Sequence, residues 1–177
     1  MHKEPHGTHF IALKMTSKGK IFSAVKEKEY PKNKELLASK STDLGEVDED
    51  SSESVLQLAI DSDDVETVRL IYESGRISDF FKDSMKSEEI GLTYSAMTGK
   101  VECLKYILSM EDHSESGELI FYAYFYACLN GHLDCIKFLL NNTEVDKKRL
   151  QEDGSNALFW SIEKEEVLEY LFNEQQI

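Results

Sequence analysis

Cys128 and Cys135 stand seven residues apart with His132 between them. A thiol beside an imidazole can become a nucleophile, because the ring takes the proton and leaves a thiolate. The third cysteine is Cys103, and no pair has CxxC spacing. An odd set of this kind builds no disulfide framework and fits reduced thiols in a cytosol. His2, His6 and His9 crowd together early in the chain, but no fourth ligand stands at metal spacing beside them. The sequence holds no GxSxG, HExxH, GxGxxG or phosphate-cradling glycine loop. Its 34 carboxylates are spread out, with no pair marked as an acid–base dyad. The expectation is a chain that is not an enzyme, with no catalytic residue, no cofactor, no metal and structural thiols.

Charge narrows the partners. The 177 residues carry a net −14. Residues 1–42 hold nine Lys and four Glu, so the rest of the chain bears −19. An acidic body repels nucleic-acid phosphates and anionic lipid, so no nucleic acid and no membrane are expected. It suits a protein partner with basic groups at its rim. The longest nearly apolar run, Leu119–Leu129, is well short of the ~20 residues of a membrane span. The first ten residues are polar and hold no signal-peptide core, so a cytoplasmic location is expected.

The elements that would position any site come from internal repetition. The segments "SVLQLAIDSDDVETVRLIYESG", "IGLTYSAMTGKVECLKYILSM" and "YAYFYACLNGHLDCIKFLLNN" align without gaps over their helical parts. "NALFWSIEKEEVLEYLFNE" aligns once two residues are dropped, and "KIFSAVKEKEYPKNKELLA" is a weaker copy ahead of them. An early apolar column falls at Ile21, Leu56, Leu92, Tyr124 and Leu158, at intervals of 35, 36, 32 and 34. A late column falls at Leu36, Ile71, Ile107, Leu139 and Leu171, at intervals of 35, 36, 32 and 32. Each copy reads as two short helices and a turn. Ala59, Ala96, Ala127 and Ser161 are small enough for backbones to approach, and Gly99 and Gly131 suit left-handed helix ends. Second helices are predicted over 65–73, 101–109, 133–141 and 166–173. Their broad apolar stripes need a neighbour on each side, which a stacked array supplies.

The pattern resembles the ankyrin repeat, most closely in "NGHLDCIKFLLNN" at 130–142 and "TGKVECLKYILS" at 98–109. The copy from Ser54 has Asp63 at the turn glycine, and no copy has the family's T-P-L-H tetrapeptide intact. Helix starts and the short β-turn fingers between units are therefore expected to be irregular. The resemblance implies an all-α, ankyrin-like helical repeat solenoid of about five helix-turn-helix units. It implies units near 20–40, 54–75, 90–110, 122–142 and 156–174 in a repeat domain over 19–177, behind a flexible lead-in over 1–18. His132 falls at the family's turn histidine, which bonds backbone.

The same resemblance implies protein binding through a concave strip of first-helix and tip residues. In the matching register that strip carries Met97, Phe121, Phe125, Leu129 and Asn130, with Asp61, Glu89 and Glu163 around it. Met and aromatic anchors inside a charged rim suit a protein interface. The competing reading packs the aromatic residues between helices. The implied protein is a monomeric inhibitor, adaptor or host-directed effector, in the last case reaching a host cytosol or nucleus. The alternative is the docking domain or a fragment of a larger enzyme. Residues 43–53 read as a solvated acidic link, or a basic-partner or phosphorylation site at Ser51 and Ser52. Phe80, Phe81 and Met85 are expected to tuck against the array, and Phe10, Ile11 and Leu13 offer cover for its first unit. The last helix reads as a cap or as the edge of something longer.

Overall fold

The structure, a computed structural model, describes residues 17–45, 47–48, 53–76, 87–110, 117–145 and 157–175. Among the described residues, five helix pairs follow one another. They are α1 (Ser17–Lys26) with α2 (Tyr30–Ala38), α3 (Val55–Asp61) with α4 (Val65–Glu73), and α5 (Ser87–Thr98) with α6 (Val101–Met110). Then come α7 (Gly117–Asn130) with α8 (Leu133–Asn142), and α9 (Ala157–Trp160) with α10 (Glu165–Gln175). The first helices pack in the row α1, α3, α5, α7, α9, and the second helices in the row α2, α4, α6, α8. The all-α repeat stack expected from the two apolar columns is the observed architecture.

The early column is the spine of the stack. Ile21, Leu56, Leu92 and Tyr124 are fully buried, and Leu158 is half-buried. The late column is buried at Ile71, Ile107, Leu139 and Leu171, while the first unit buries Leu37 more deeply than Leu36. Complete burial of such a side chain stabilises by about 1.5–3 kcal/mol, and each unit obtains it only against a neighbour.

One turn recurs in the first four units. The backbone N–H groups of Glu29, Asp64, Lys100 and His132 donate to the carbonyls of Ala24, Ala59, Ser95 and Ala127 at 2.8–2.9 Å. The residue before each donor has a positive φ: Lys28 at 54°, Asp63 at 47°, Gly99 at 75° and Gly131 at 81°. This is a helix C-terminus closed by a left-handed residue. Glycine takes that conformation freely, whereas Lys28 and Asp63 take it at a cost of about 1–2 kcal/mol. The bonds also correct the register. The small position is Ala24, Ala59, Ser95, Ala127 and Ser161, and Ala96 belongs one residue on, beside Ile60 and Cys128. In the fifth unit the Lys164 N–H reaches back only to Ser161, at 2.7 Å, because α9 is a single turn.

The starts of α3 and α4 are capped despite the missing tetrapeptide, while Glu29 and His132, ahead of α2 and α8, make no side-chain cap. Ser54 and Gln57 form a reciprocal capping box at α3, and the Asp64 carboxylate accepts the Thr67 N–H at α4. Pro31 stands in the first turn of α2, where its missing N–H costs nothing. The link between the first two units is not simply solvated. Thr42 and Leu44 are 1% exposed, Asp48 is buried, and Val47 pairs with Ser54 in an antiparallel bridge. Lys26 reaches Asp48 at 3.1 Å. From the second unit, Arg76 donates to the carbonyls of Leu37, Ser39 and Thr42, closing the exit of α2. Apart from Ser17 and Lys18, which open α1, the expected lead-in lies outside the described residues, as do Ser51, Ser52, Phe80, Phe81 and Met85.

Candidate functional site

Cys103, Cys128 and Cys135 are fully buried. Burial pushes the Cys128 and Cys135 thiols up to about 12 and raises Cys103 as well, with Asp63 adding to the rise at Cys103. All three sulfurs are thiols at neutral pH. His132 points elsewhere: its Nε2 lies 2.9 Å from the Met97 carbonyl of the preceding unit. Among the described residues no group of three or more His, Cys, Asp or Glu could hold a metal ion. No helix among them is long and apolar enough to cross a membrane.

The named surface residues lie on α3, α5, α7 and the turn after α9. On α7, Phe121 and Phe125 are half-buried, and both turn toward Trp160 of the next unit, with ring centroids at 6.0 and 4.5 Å. Both pairs meet edge to face, which favours the contact beyond its buried area. These two rings are therefore stacking contacts as well as surface. Leu129 is 44% exposed, and Asn130 beside it is exposed with its amide on the Tyr126 carbonyl. Met97 is half-buried on α5.

Of the acidic residues, Asp61 accepts the Tyr94 hydroxyl at 2.9 Å across two units. Burial and this carboxylate hold the Tyr94 phenol well above its ordinary value. Glu163 is exposed and lines a groove at the last unit, with Leu158, Ile162 and Phe172. Glu89 lies on α5, with its side chain outside the described residues.

Sequence reasoning missed the organiser of the aromatic cluster. Trp160 is half-buried and receives both phenylalanines. Tyr122, at 42% exposure and 5.7 Å from Phe121, extends the cluster outward. The signal available was local: aromatic residues fill 121, 122, 124, 125 and 126, more than one buried stripe can hold. Of the large apolar side chains exposed among the described residues, Tyr122, Leu129, Phe159, Ile162 and Phe172 belong to the last two units.

The comparisons with known proteins agree with this layout. Residues 92–177 match a family model described as ankyrin repeats, three copies. The matched span begins at Leu92, the early-column residue of the third unit, and takes in the third, fourth and fifth helix pairs. No curated protein matches the chain.

Proposed function

We propose that this chain, a member of the ankyrin repeat family, is a binding module that holds a protein partner against the first helices of its last three units. Ankyrin repeats are in general protein–protein interaction modules. The finer reading is a rigid, non-catalytic surface that covers an apolar element of its partner. Leu129 and Tyr122 are its outer anchors, Phe121, Phe125 and Met97 its floor, and Asn130 its polar edge. Asp61, Glu89 and Glu163 belong to the acidic surroundings that select a partner with Lys or Arg around an apolar centre. Such masking suits an inhibitor or adaptor acting as a monomer in a reducing compartment.

The observation that carries this reading is the row Phe121, Phe125 and Leu129 along α7, the two rings half-buried against Trp160 and Leu129 exposed, in a chain of net charge −14. Clusters of this composition supply the anchors of protein interfaces. The test is affinity capture from cells, quantified by mass spectrometry, for the native chain, Leu129→Asp, and Phe121→Ala with Leu129→Asp. Both variants should lose the same specific protein while keeping the helical circular dichroism. Full retention of that protein by Leu129→Asp rejects the surface.

A further inference from the structure

The last unit carries a second surface, on the side of the stack where a sixth unit would sit. Repeat equivalence locates it. Leu56 and Tyr72 of the second unit both face Gly91 at the start of the third. Leu56 Cδ2 and Tyr72 Oη lie 3.8 and 2.7 Å from where a Cβ on Gly91 would stand. Their counterparts in the fifth unit are Leu158 and Phe172. Ile162 likewise corresponds to Ile60, Ala96 and Cys128, all fully buried. In the fifth unit Ile162 is 68% and Phe172 58% exposed, and with Leu158 and Leu168 they line an open groove of about 880 Å³. Its remaining wall is Glu163, Glu165, Glu169 and Asn173, with no Lys or Arg among the lining residues.

Two features define the occupant. At the matching place in the stack, Leu56 and Tyr72 receive the opening turns of a helix, α5. The carboxylates beside the apolar floor favour cations and disfavour a second copy presenting the same acidic wall. We infer that this terminal groove docks an amphipathic helix of a partner protein, with an aliphatic stripe on the floor and Lys or Arg against Glu163, Glu165 and Glu169. The inference goes beyond the proposed function, because its apolar floor shares no residue with the Trp160 cluster and it holds whether or not that cluster binds anything.

The test uses a fluorescent peptide of about 18 residues, long enough for five helical turns, with Leu at helical spacing and Lys elsewhere. A matched peptide has Glu in place of Lys. Anisotropy titrations should show binding of the Leu/Lys peptide, weakened about tenfold or more by Ile162→Glu or Phe172→Glu. Glu165→Lys with Glu169→Lys should weaken it too and improve binding of the Leu/Glu peptide. Leu129→Asp should leave the titration unchanged, which separates this groove from the other surface. Both apolar sites are more than half exposed, so the variants should keep native circular dichroism. No binding, equal binding of the two peptides, or indifference to Ile162→Glu overturns the inference. So does a concentration-dependent dimer in sedimentation that Ile162→Glu abolishes, since the occupant would then be a second copy.

Discussion

The Nε2 of His132 donates a hydrogen bond of 2.9 Å to the main-chain carbonyl of Met97, one repeat earlier in the chain. A carbonyl only accepts, so Nε2 carries the proton. The bond ties the turn of the fourth unit to the helix end of the third, and the ring lies close over Gly99.

Gly99→Ala tests that closeness. A Cβ there would lie 2.5 Å from His132 Nδ1, and Gly99 has φ 75°. The substitution should cost about 2–4 kcal/mol, from the left-handed backbone and the displaced histidine bond together. Gly75→Ala has a similar φ of 67° but open space around it, and should cost only about 1–2 kcal/mol. Urea midpoints of the two variants, at equal slope, give the comparison.

Arg76 and Arg69 should behave oppositely. Arg76 spreads its guanidinium over three carbonyls of the first unit, at 2.7, 2.8 and 3.1 Å. Arg76→Ala should lose about 1–3 kcal/mol, and Arg76→Lys should recover little, because an ammonium cannot span the same fork. Arg69 pairs with Glu66 and Glu73 on an exposed helix face, and Arg69→Ala should leave the thermal midpoint unchanged within error.

Alkaline pH should unfold the chain through its buried acids. Burial raises the Cys128 and Cys135 thiols from 9.0 to about 12. A raised acid keeps its proton in the folded state while the unfolded chain has lost it. Stability is therefore full below about pH 9 and falls as pH climbs toward 12. Each thiol contributes a slope of about 1.4 kcal/mol per pH unit once ionised in the unfolded state. Tyr94 and Tyr124, also raised by burial, add the same sign at higher pH. Denaturation at stepped pH should show this fall, reduced by one thiol's share in Cys135→Ala. Native cysteines should also resist alkylation at pH 8 until urea exposes them.

The stack was legible because burial repeats: Leu56, Leu92 and Tyr124 each need the same neighbour, and the period follows. Gly99 and Gly131 marked their turns by residue type. Lys28 and Asp63 take the same left-handed turn without any such mark, because the closing hydrogen bond imposes it rather than the side chain. The one-residue shift from Ala96 to Ser95 escaped for a related reason, since both residues are small and only the backbone bond separates them. Arg76 reaches carbonyls more than thirty positions away, which no local pattern encodes. At the candidate surfaces, Trp160 is half-buried and Ile162 and Phe172 are exposed, although Ile162 aligns with the buried Ile60, Ala96 and Cys128. Their exposure depends on what lies beside them in space, and the composition of a column does not carry that.

Hydrogen–deuterium exchange on the chain, alone and with its captured partner, maps the contact most directly. The account predicts slowed exchange in the second half of α7 and in α9, around Leu129 and Trp160, with α2, α4 and α6 unchanged. Slowing confined to those second helices, with the residues around Leu129 exchanging as they do in the free chain, would contradict it.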